Sequence, residues 1–492
     1  MPNISSKDLK PHPLSMVDRN GRLFWFNDQL YRGISSDWAL FYRNLFELGI
    51  VQELIQEDLL VETEITNLHS DEWAMILNHK IIPFVTYPHE WCDLMLKDAA
   101  LLILDLNLKL NKYDLINYDP RILNILFNGC KPIYVDFCSI VSVNDRKISS
   151  EKTYEKFRMD FLTPLELMSK GCYSISRSLM KDNYYRQNKL IQELAKLKER
   201  DKSDRFGIDS LLKKIIKVAR RYTPGPIRPW VKNRFVSTKR SLFFKNQKSH
   251  SDFLNRLKAE VENIKIPSLN IQQSNCYDNF FSSFVPSDKW TAKQESIQKI
   301  FSELKPNSVL DTDSDRGWYS QLAGRCGSQV VAFDEDEACA SKLYIDSKKN
   351  NLSVIPLVMD WTSQHSDLSN DYFSSIKDRL KCDLVLSLTL MQHLTLKSHI
   401  NLEQTLIRLS HFSKRWVLIE FISHPELEKF IPPEAQYVYE RWQNIPQYTM
   451  DEFVNIIKSQ FPEVKIFPSS SETRKLLLCD KVPSEPRFTN YQ

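Results

Sequence analysis

Three acidic residues and one glycine follow the spacing of a nucleotide-binding site. Asp311 closes an apolar run, Asp313 and Gly317 lie in the turn that follows, and Asp334 closes the next apolar run 23 residues later. In dinucleotide-type folds the first strand–helix turn is rich in glycine, so that a cofactor can approach the backbone. An acid about 20 residues further on binds the ribose hydroxyls. The spacing therefore predicts a nucleotide site at these four residues.

The stretch VLDTDSDRGWYSQLAGRCGSQVVAFDEDE resembles the first two motifs of the seven-stranded S-adenosylmethionine-dependent methyltransferases. These motifs usually read D-x-G-x-x-x-G and then a strand that ends in an acid, and the resemblance covers about residues 289–480. It implies that Asp311 and Gly317 form the cofactor loop and that Asp334 binds the ribose. It also implies that Asp360, in VIPLVMDW, binds the adenine amine, and that CDLVLSLTLMQHL is the strand-four motif.

The chain departs from that pattern at Asp313, where the family has its first loop glycine. An aspartate adds a Cβ atom at a position that can require a positive φ angle. It also adds negative charge near the cofactor's methionine carboxylate, and Asp315 adds a second charge. The helix N-terminus still offers N–H donors to that carboxylate. We therefore expect an affinity reduced about fivefold to tenfold, with a degenerate site as the alternative.

Two residues near later strands are candidates for catalysis. Methyl transfer is an in-line displacement, and it needs a base only when the nucleophile is protonated. His393 follows the fourth strand, at the edge where open α/β sheets bind ligands, and is the candidate base. The alternative is a histidine that caps the next turn. Glu420 ends the fifth strand at the same edge and is interpreted as structural.

A second set of residues has the spacing of a phosphate-transfer site. In NYDPRILNILFNGCKPIYVDFCSI, Asn124 lies five residues after Asp119, and Asp136 follows an apolar run. This order resembles the catalytic loop and the metal-binding aspartate of protein-kinase-like folds. There the first aspartate orients a hydroxyl nucleophile, and the other two residues hold magnesium. The resemblance implies magnesium–ATP as a second cofactor.

The residues upstream fit the same resemblance only in part. Arg32 lies where a kinase has its phosphate-binding lysine, and the next helix carries Glu47 and Glu53. A glycine-rich phosphate loop and a lysine in a V-A-I-K context are missing, and Phe-Cys rather than Phe-Gly follows Asp136. The alternative is an ordinary turn-rich segment, because Asp and Asn favour turns.

The elements around these residues suggest three regions. We predict an α+β domain at residues 1–171 and a basic helical region with a linker at residues 172–288. Residues 289–492 are predicted to form an α/β domain. Alternation of strand and helix in the last region predicts a mostly parallel, doubly wound, Rossmann-like sheet. Its predicted strands are 308–312, 329–334, 354–359, 383–388, 415–421, 463–467 and 475–479. The first region is predicted to contain a hairpin at 22–26 and 29–34, strands at 59–65 and 81–86, and a helix at 90–109.

The net charge of +4 is unevenly distributed. Residues 186–248 contain 19 Lys and Arg against 5 Asp and Glu, which is +14, so the remainder carries −10. An amphipathic helix at 211–221 presents much of this charge. We expect it to dock internally on the acidic remainder. An acidic partner, an anionic lipid surface or a solvated linker are the alternatives.

Several classes are disfavoured by composition. No apolar run approaches the ~20 residues that span a bilayer, and the start lacks a signal-peptide pattern. The nine cysteines form no C-x-x-C pair, which argues against a zinc knuckle and indicates a reducing, cytoplasmic setting.

Nearly the whole chain also resembles bacterial class I methyltransferases with a long N-terminal extension, which carries YP-x-EW followed by LKDAALL, as at 87–102. The leading hypothesis is an S-adenosylmethionine-dependent methyltransferase whose N-terminal domain selects an unidentified acceptor. A non-catalytic scaffold and a phosphotransferase are the alternatives.

Overall fold

The structure, a computed structural model, describes residues 4, 9–12, 15, 20–145, 150–181, 247–267, 290–360, 375–388, 402–423, 426 and 449–482. It contains two compact units. The first comprises residues 1–81, 87–126 and 132–267, and the second comprises 82–86, 127–131 and 268–492. The basic helix predicted at 211–221 lies outside the described residues, and its internal docking stays a prediction.

A five-stranded antiparallel sheet opens the first unit, with its strands in the order β1–β2–β3–β5–β4. Asn27 and Asp28 join β2 to β3 with φ angles of 48° and 57°. Two consecutive residues with positive φ form the tight turn that matches the twist of a hairpin. The strands are β1 (Lys10–Pro11), β2 (Gly21–Phe26), β3 (Gln29–Ile34), β4 (Thr63–Ile65) and β5 (Met75–His79).

The strand predicted at 81–86 is wrong. The strand that pairs with β3 is β5, and residues 81–86 have no regular secondary structure. Pro83 interrupts residues 81–86 and cannot donate a backbone hydrogen bond. The apolar and β-branched residues around it therefore predicted a strand that does not form. The strand predicted at 59–65 is shorter than expected, because only Thr63–Ile65 joins the sheet.

Helices and two small two-stranded sheets, β6–β9 and β7–β8, follow. The long helix α3 (Asp93–Asn111) has buried residues along most of its length and packs against α6 (Gln247–Glu262). A π-helical turn at Arg158–Leu162 joins α4 to α5, and residues 173–181 are also helical. The remaining elements are α1 (Ser36–Glu47), α2 (Ile50–Gln56), β6 (Leu115–Asn117), β7 (Ile125–Asn128), β8 (Lys131–Tyr134), β9 (Ile140–Ser142), α4 (Ser150–Phe157) and α5 (Thr163–Met168).

A seven-stranded sheet organises the second unit, in the order β12–β11–β10–β13–β14–β16–β15. The first five strands are parallel, and β16 runs antiparallel to both of its neighbours. All seven predicted strands are present, with ends that shift by at most two residues. They are β10 (Ser308–Thr312), β11 (Gln329–Asp334), β12 (Val354–Val358), β13 (Cys382–Ser387), β14 (Ser413–Ile422), β15 (Glu463–Pro468) and β16 (Arg474–Asp480).

The strand order reverses between β10 and β13. In open α/β sheets a ligand binds at such a reversal, beyond the carboxyl ends of the strands. The apolar core includes Val309 and Leu384 on these two strands and Leu322 on α8. The helices of this unit are α7 (Ala292–Leu304), α8 (Trp318–Arg325), α9 (Glu337–Lys349), α10 (Ile376–Arg379), α11 (Leu402–Phe412) and α12 (Met450–Lys458).

No helix within the described ranges is both long enough and apolar enough to cross a bilayer.

Candidate functional site

The loop between β10 and α8 has left-handed backbone at three of its residues. The φ angles of Asp313, Asp315 and Gly317 are 71°, 50° and 72°. Aspartate is one of the few non-glycine residues that adopt this region with any frequency. Asp313, which stands where the methyltransferase motif has a glycine, therefore has the torsion that favours glycine.

Gly317 is required by packing as well as by torsion. A Cβ atom at this position would lie 2.4 Å from the Leu343 side chain of α9. The left-handed φ angle would also strain any other residue there. This glycine lets the loop enter α8 directly against α9.

Asp334, at the end of β11, is tied to the loop. Its Oδ2 accepts the backbone N–H of Asp315 over 2.7 Å, and its Oδ1 accepts the backbone N–H of Asp336 over 2.8 Å. Burial, together with the nearby Asp313 carboxylate, raises the pKa of Asp334 well above its usual range despite these two donors. A carboxylate oxygen can accept more than one hydrogen bond, so acceptor capacity remains for ribose hydroxyls.

Asp311 lies beneath the same loop. Its Oδ2 accepts the Ser320 hydroxyl of α8 over 2.5 Å. Burial raises the pKa of Asp311 to about 7, the Asp313 carboxylate adds to the rise, and the Ser320 hydrogen bond opposes it. The three acids Asp311, Asp313 and Asp334 therefore influence one another at the carboxyl edge of β10 and β11.

The other predicted cofactor residue is placed at the same edge. Asp360 is half-buried, two residues beyond β12. The preceding backbone is held near Asp334, because the Met359 N–H donates to the Asp334 carbonyl over 2.8 Å. The candidate base His393 lies outside the described residues, and its role stays a prediction.

A buried ion pair at this edge was not expected from the sequence. Lys293, in the first turn of α7, places Nζ 2.8 Å from Glu420 Oε2, and both side chains are buried. Ser469 donates to the other Glu420 oxygen, and an Arg474 guanidinium nitrogen lies 4.0 Å from Oε2. Burial alone would lower the pKa of Lys293, because it disfavours the charged ammonium. The attraction of the Glu420 carboxylate is stronger than this effect, so the pKa of Lys293 is raised. Lysine in the first turn of a helix normally indicates a solvated residue, so sequence reasoning passed over it.

The residues of the second predicted site also lie together. The Asn124 amide nitrogen donates to the Asp119 carbonyl over 3.0 Å and lies 3.5 Å from Asp136 Oδ2. Asp119 Oδ1 accepts Lys156 Nζ over 2.6 Å and Arg121 Nε over 3.2 Å. The structure therefore gathers the aspartate–asparagine–aspartate set, with two cations on the first carboxylate.

Arg32 joins this set through Asp136. Its Nη2 lies 3.5 Å from Asp136 Oδ1, and its Nε donates to His79 Nε2 over 3.3 Å. Burial, and then the Arg32 charge, lower the pKa of His79 well below its usual value. The acidic helix residues are placed elsewhere: Glu53 bonds Lys109, and Glu47 is exposed.

Across the described ranges, no three His, Cys, Asp or Glu side chains are arranged to hold a metal ion. In the first unit, the Asp119 and Asp136 carboxylates are oxygen ligands of the kind that magnesium prefers, whereas Asn124 turns its NH2 group toward Asp136. In the second unit, the loop after β10 and the Asp334 carboxylate lie together at the carboxyl edge of the sheet.

No family model matches the chain. Among characterised proteins, the chain is similar to the nodulation protein NoeA of Rhizobium meliloti (strain 1021). The two are 23% identical over 439 residues, which cover 83% of this chain and 84% of NoeA.

Several solved structures are similar to 38% of the chain. The bifunctional kinase-methyltransferase WbdD is 15% identical with a TM-score of 0.28, and 38% of it is covered, so the match spans well under half of that protein. The magnesium protoporphyrin IX methyltransferase ChlM of Synechocystis PCC 6803 is 13% identical over 83% of its chain, with a TM-score of 0.26. TehB of Haemophilus influenzae is 13% identical over 62% of its chain, with a TM-score of 0.27. Similarities of this size say nothing about activity.

Proposed function

We propose that the second unit is an S-adenosylmethionine-dependent methyltransferase. The observation that carries this proposal is the geometry at the strand reversal. The loop after β10 keeps left-handed torsions at Asp313 and Gly317, and it is bonded to the buried acid Asp334. These are the positions at which the methyltransferase resemblance places the cofactor.

The charge of the site supports this cofactor over phosphorylated ones. The Asp313 and Asp315 carboxylates lie in the loop, next to the buried Asp334, and their negative potential opposes the binding of the phosphates of NAD or ATP. S-adenosylmethionine carries no phosphate, and its sulfonium is a permanent cation. Bound here, it would supply an electrophilic methyl group.

Each residue of the site is proposed to bind a different part of this cofactor. Asp334 would accept the ribose hydroxyls, Asp360 the adenine amine, and the backbone of the loop would lie against the methionyl part. His393 is the proposed base for a protonated acceptor. Under the same proposal the first unit selects the acceptor.

Calorimetry with S-adenosylmethionine, NAD and ATP in parallel tests the proposal. We expect S-adenosylmethionine to bind with a Kd below 1 mM at the second unit, and NAD not to bind. Absence of S-adenosylmethionine binding at millimolar concentration would leave the scaffold hypothesis in its place.

A second candidate function is phosphoryl transfer in the first unit. The observation that favours it is the convergence of Asp119, Asn124 and Asp136 with Arg32, from three separate stretches of chain. Magnesium–ATP would bind at this set. In the calorimetric comparison, ATP binding that requires magnesium and survives Asp334→Ala would support it.

A further inference from the structure

The loop between β10 and α8 carries two acids, Asp313 and Asp315, and one cation, Arg316, so its net charge is negative. The inference that follows concerns how the carboxylate of the cofactor's methionyl end is held beside this loop, and it rests on the proposed function. Asp313 and Asp315 place negative charge in the loop, so the N–H donors of α8 face repulsion from their own neighbours. A positive side chain nearby would offset that repulsion.

Lys293 is a buried cation beside this loop. Its Nζ lies 5.1 Å from the ring centroid of Tyr319, which is in the first turn of α8. Its charge also lowers the pKa of Asp311, the acid bonded to the same helix. The ammonium group is therefore close to the helix start at which an anion would bind.

The geometry of two tryptophans brings the two helix starts together. Trp290 precedes α7 and Trp318 begins α8, and their rings meet edge to face with centroids 5.5 Å apart. Edge-to-face aromatic contacts of this kind are favourable and directional. The N-terminal N–H groups of α7 and α8 therefore lie on the same side of the sheet, at its carboxyl edge.

Both polar residues in the first turn of α7 retain donor capacity. The ammonium of Lys293 has three N–H groups, and Glu420 is the acceptor that the structure shows for it. Gln294 is fully buried, and its Oε1 accepts the Thr291 N–H over 2.7 Å. Its Nε2 has no hydrogen-bond partner among the residues with a described placement. A buried donor without an acceptor is costly, and it indicates a missing ligand.

Glu420 does not cancel the charge of Lys293. Ser469 donates to one oxygen of Glu420, and Arg474 lies 4.0 Å from the other, so this carboxylate is shared among several donors. Buried ion pairs contribute little to stability on balance, so their presence at a ligand edge favours a binding role. We propose that Lys293, with Gln294 beside it, binds the methionyl carboxylate of S-adenosylmethionine.

A series of ligands with and without that carboxylate tests the proposal on the full chain. The probes are S-adenosylmethionine, S-adenosylhomocysteine and 5′-methylthioadenosine, which lacks the amino-acid end. The test variant is Lys293→Met combined with Glu420→Gln, so that no unpaired carboxylate is left buried. We expect the two amino-acid ligands to bind about tenfold more weakly to this variant, and methylthioadenosine to bind within twofold of the unaltered protein.

Glu420→Gln alone is the matched control. It removes the same ion pair but keeps the lysine, and the ligand carboxylate can take the place of Glu420 as its counter-ion. Affinity for the two amino-acid ligands should therefore fall less than in the double variant. An equal loss for all three ligands in the double variant would overturn the proposal and make the pair structural. If the unaltered protein binds none of them, the proposed function fails first, and the inference fails with it.

A measurement on the unaltered protein tests, without a mutation, whether the charge of the carboxylate is recognised at all. S-adenosylhomocysteine with its carboxylate converted to a carboxamide should bind about tenfold more weakly than the acid. Equal affinity for acid and amide would overturn the proposal even if the variants do not fold.

Discussion

The backbone N–H of Asp315 donates to Oδ2 of Asp334 over 2.7 Å, which joins the loop after β10 to the acid at the end of β11. A change in the position of either residue should therefore shift the position of the other. The left-handed torsion of Asp315 turns its N–H toward the end of β11. The acid is thus held in position before any ligand arrives.

Asp334→Ala should weaken S-adenosylmethionine binding about tenfold, because the ribose hydroxyls lose their acceptor. Calorimetry measures the change. The matched control is Asp336→Ala, which removes the cap that accepts the Ala338 N–H over 2.7 Å. That variant should lose about 1 kcal/mol of stability with affinity preserved. An unchanged Kd in Asp334→Ala would contradict the assignment.

Removing the charge of Asp313 should tighten cofactor binding about fivefold, which corresponds to about 1 kcal/mol of like-charge repulsion. The pKa of Asp311 should fall below its value of about 7, as carbon-13 NMR of its carboxyl group would show. Asp313→Asn removes the charge and keeps a residue that tolerates positive φ, whereas Asp313→Gly removes both constraints. If both variants tighten binding equally, the charge of Asp313 is what weakens cofactor binding. If only Asp313→Gly tightens binding, the backbone torsion is the cause. No change in either variant would contradict the expectation.

Gly317→Ala should destabilise the second unit more than Gly327→Ala does. Both glycines have positive φ, 72° and 92°, so both variants incur about 1–2 kcal/mol of backbone strain. Only at Gly317 would the new Cβ meet Leu343, at 2.4 Å, whereas nothing lies within 4 Å at Gly327. Overpacking should add about 1–3 kcal/mol, measurable by urea unfolding. Equal losses in the two variants would mean that α9 moves aside without cost.

Acid should weaken the packing of α6 on α3 through His250. Its Nε2 lies 2.5 Å from the Tyr154 hydroxyl, its Nδ1 lies 2.8 Å from Asn111 Oδ1, and burial lowers its pKa to about 4. The unfolded chain therefore binds this proton first, and stability is lost as pH falls from about 6.5 toward 4. The loss should reach about 2 kcal/mol at pH 5.

The measurement is urea unfolding at pH 7 and pH 5 for the unaltered protein and for His250→Gln. The variant should show a smaller drop, because its side chain does not titrate. The contribution of His79, whose pKa is also lowered, is common to both proteins and cancels. Parallel drops in the two proteins would refute the role of His250.

Magnesium–ATP should raise the melting temperature of the full chain if the first unit binds it. A ligand at a hundredfold excess over its Kd stabilises the folded state by about 2.7 kcal/mol. Asp136→Asn should abolish the shift. Asp105→Asn, which removes an ion pair with Lys258, is the control and should leave it intact. No shift in the unaltered protein would leave only a kinase-like arrangement of residues.

The sequence predicted the second unit well because its signals are local. Each strand is a short apolar run, and Asp313, Asp334 and Asp360 mark the ends of the first three strands. The ion pair of Lys293 with Glu420 could not be predicted, because it joins residues 127 positions apart. The strand predicted at 81–86 is an error of the other kind, because local composition favoured a strand that Pro83 prevents.

The placement of β16 has a consequence for how the protein is made. Of the strands that the structure describes, β16 is the last in sequence, yet it lies between β14 and β15 and pairs with both. During synthesis on the ribosome, β14 presents an open edge and β15 has no neighbour until residues 474–480 emerge. An unpaired strand edge invites pairing with other chains. A premature stop shortly before residue 474 should therefore yield aggregated protein rather than a slightly shortened folded chain.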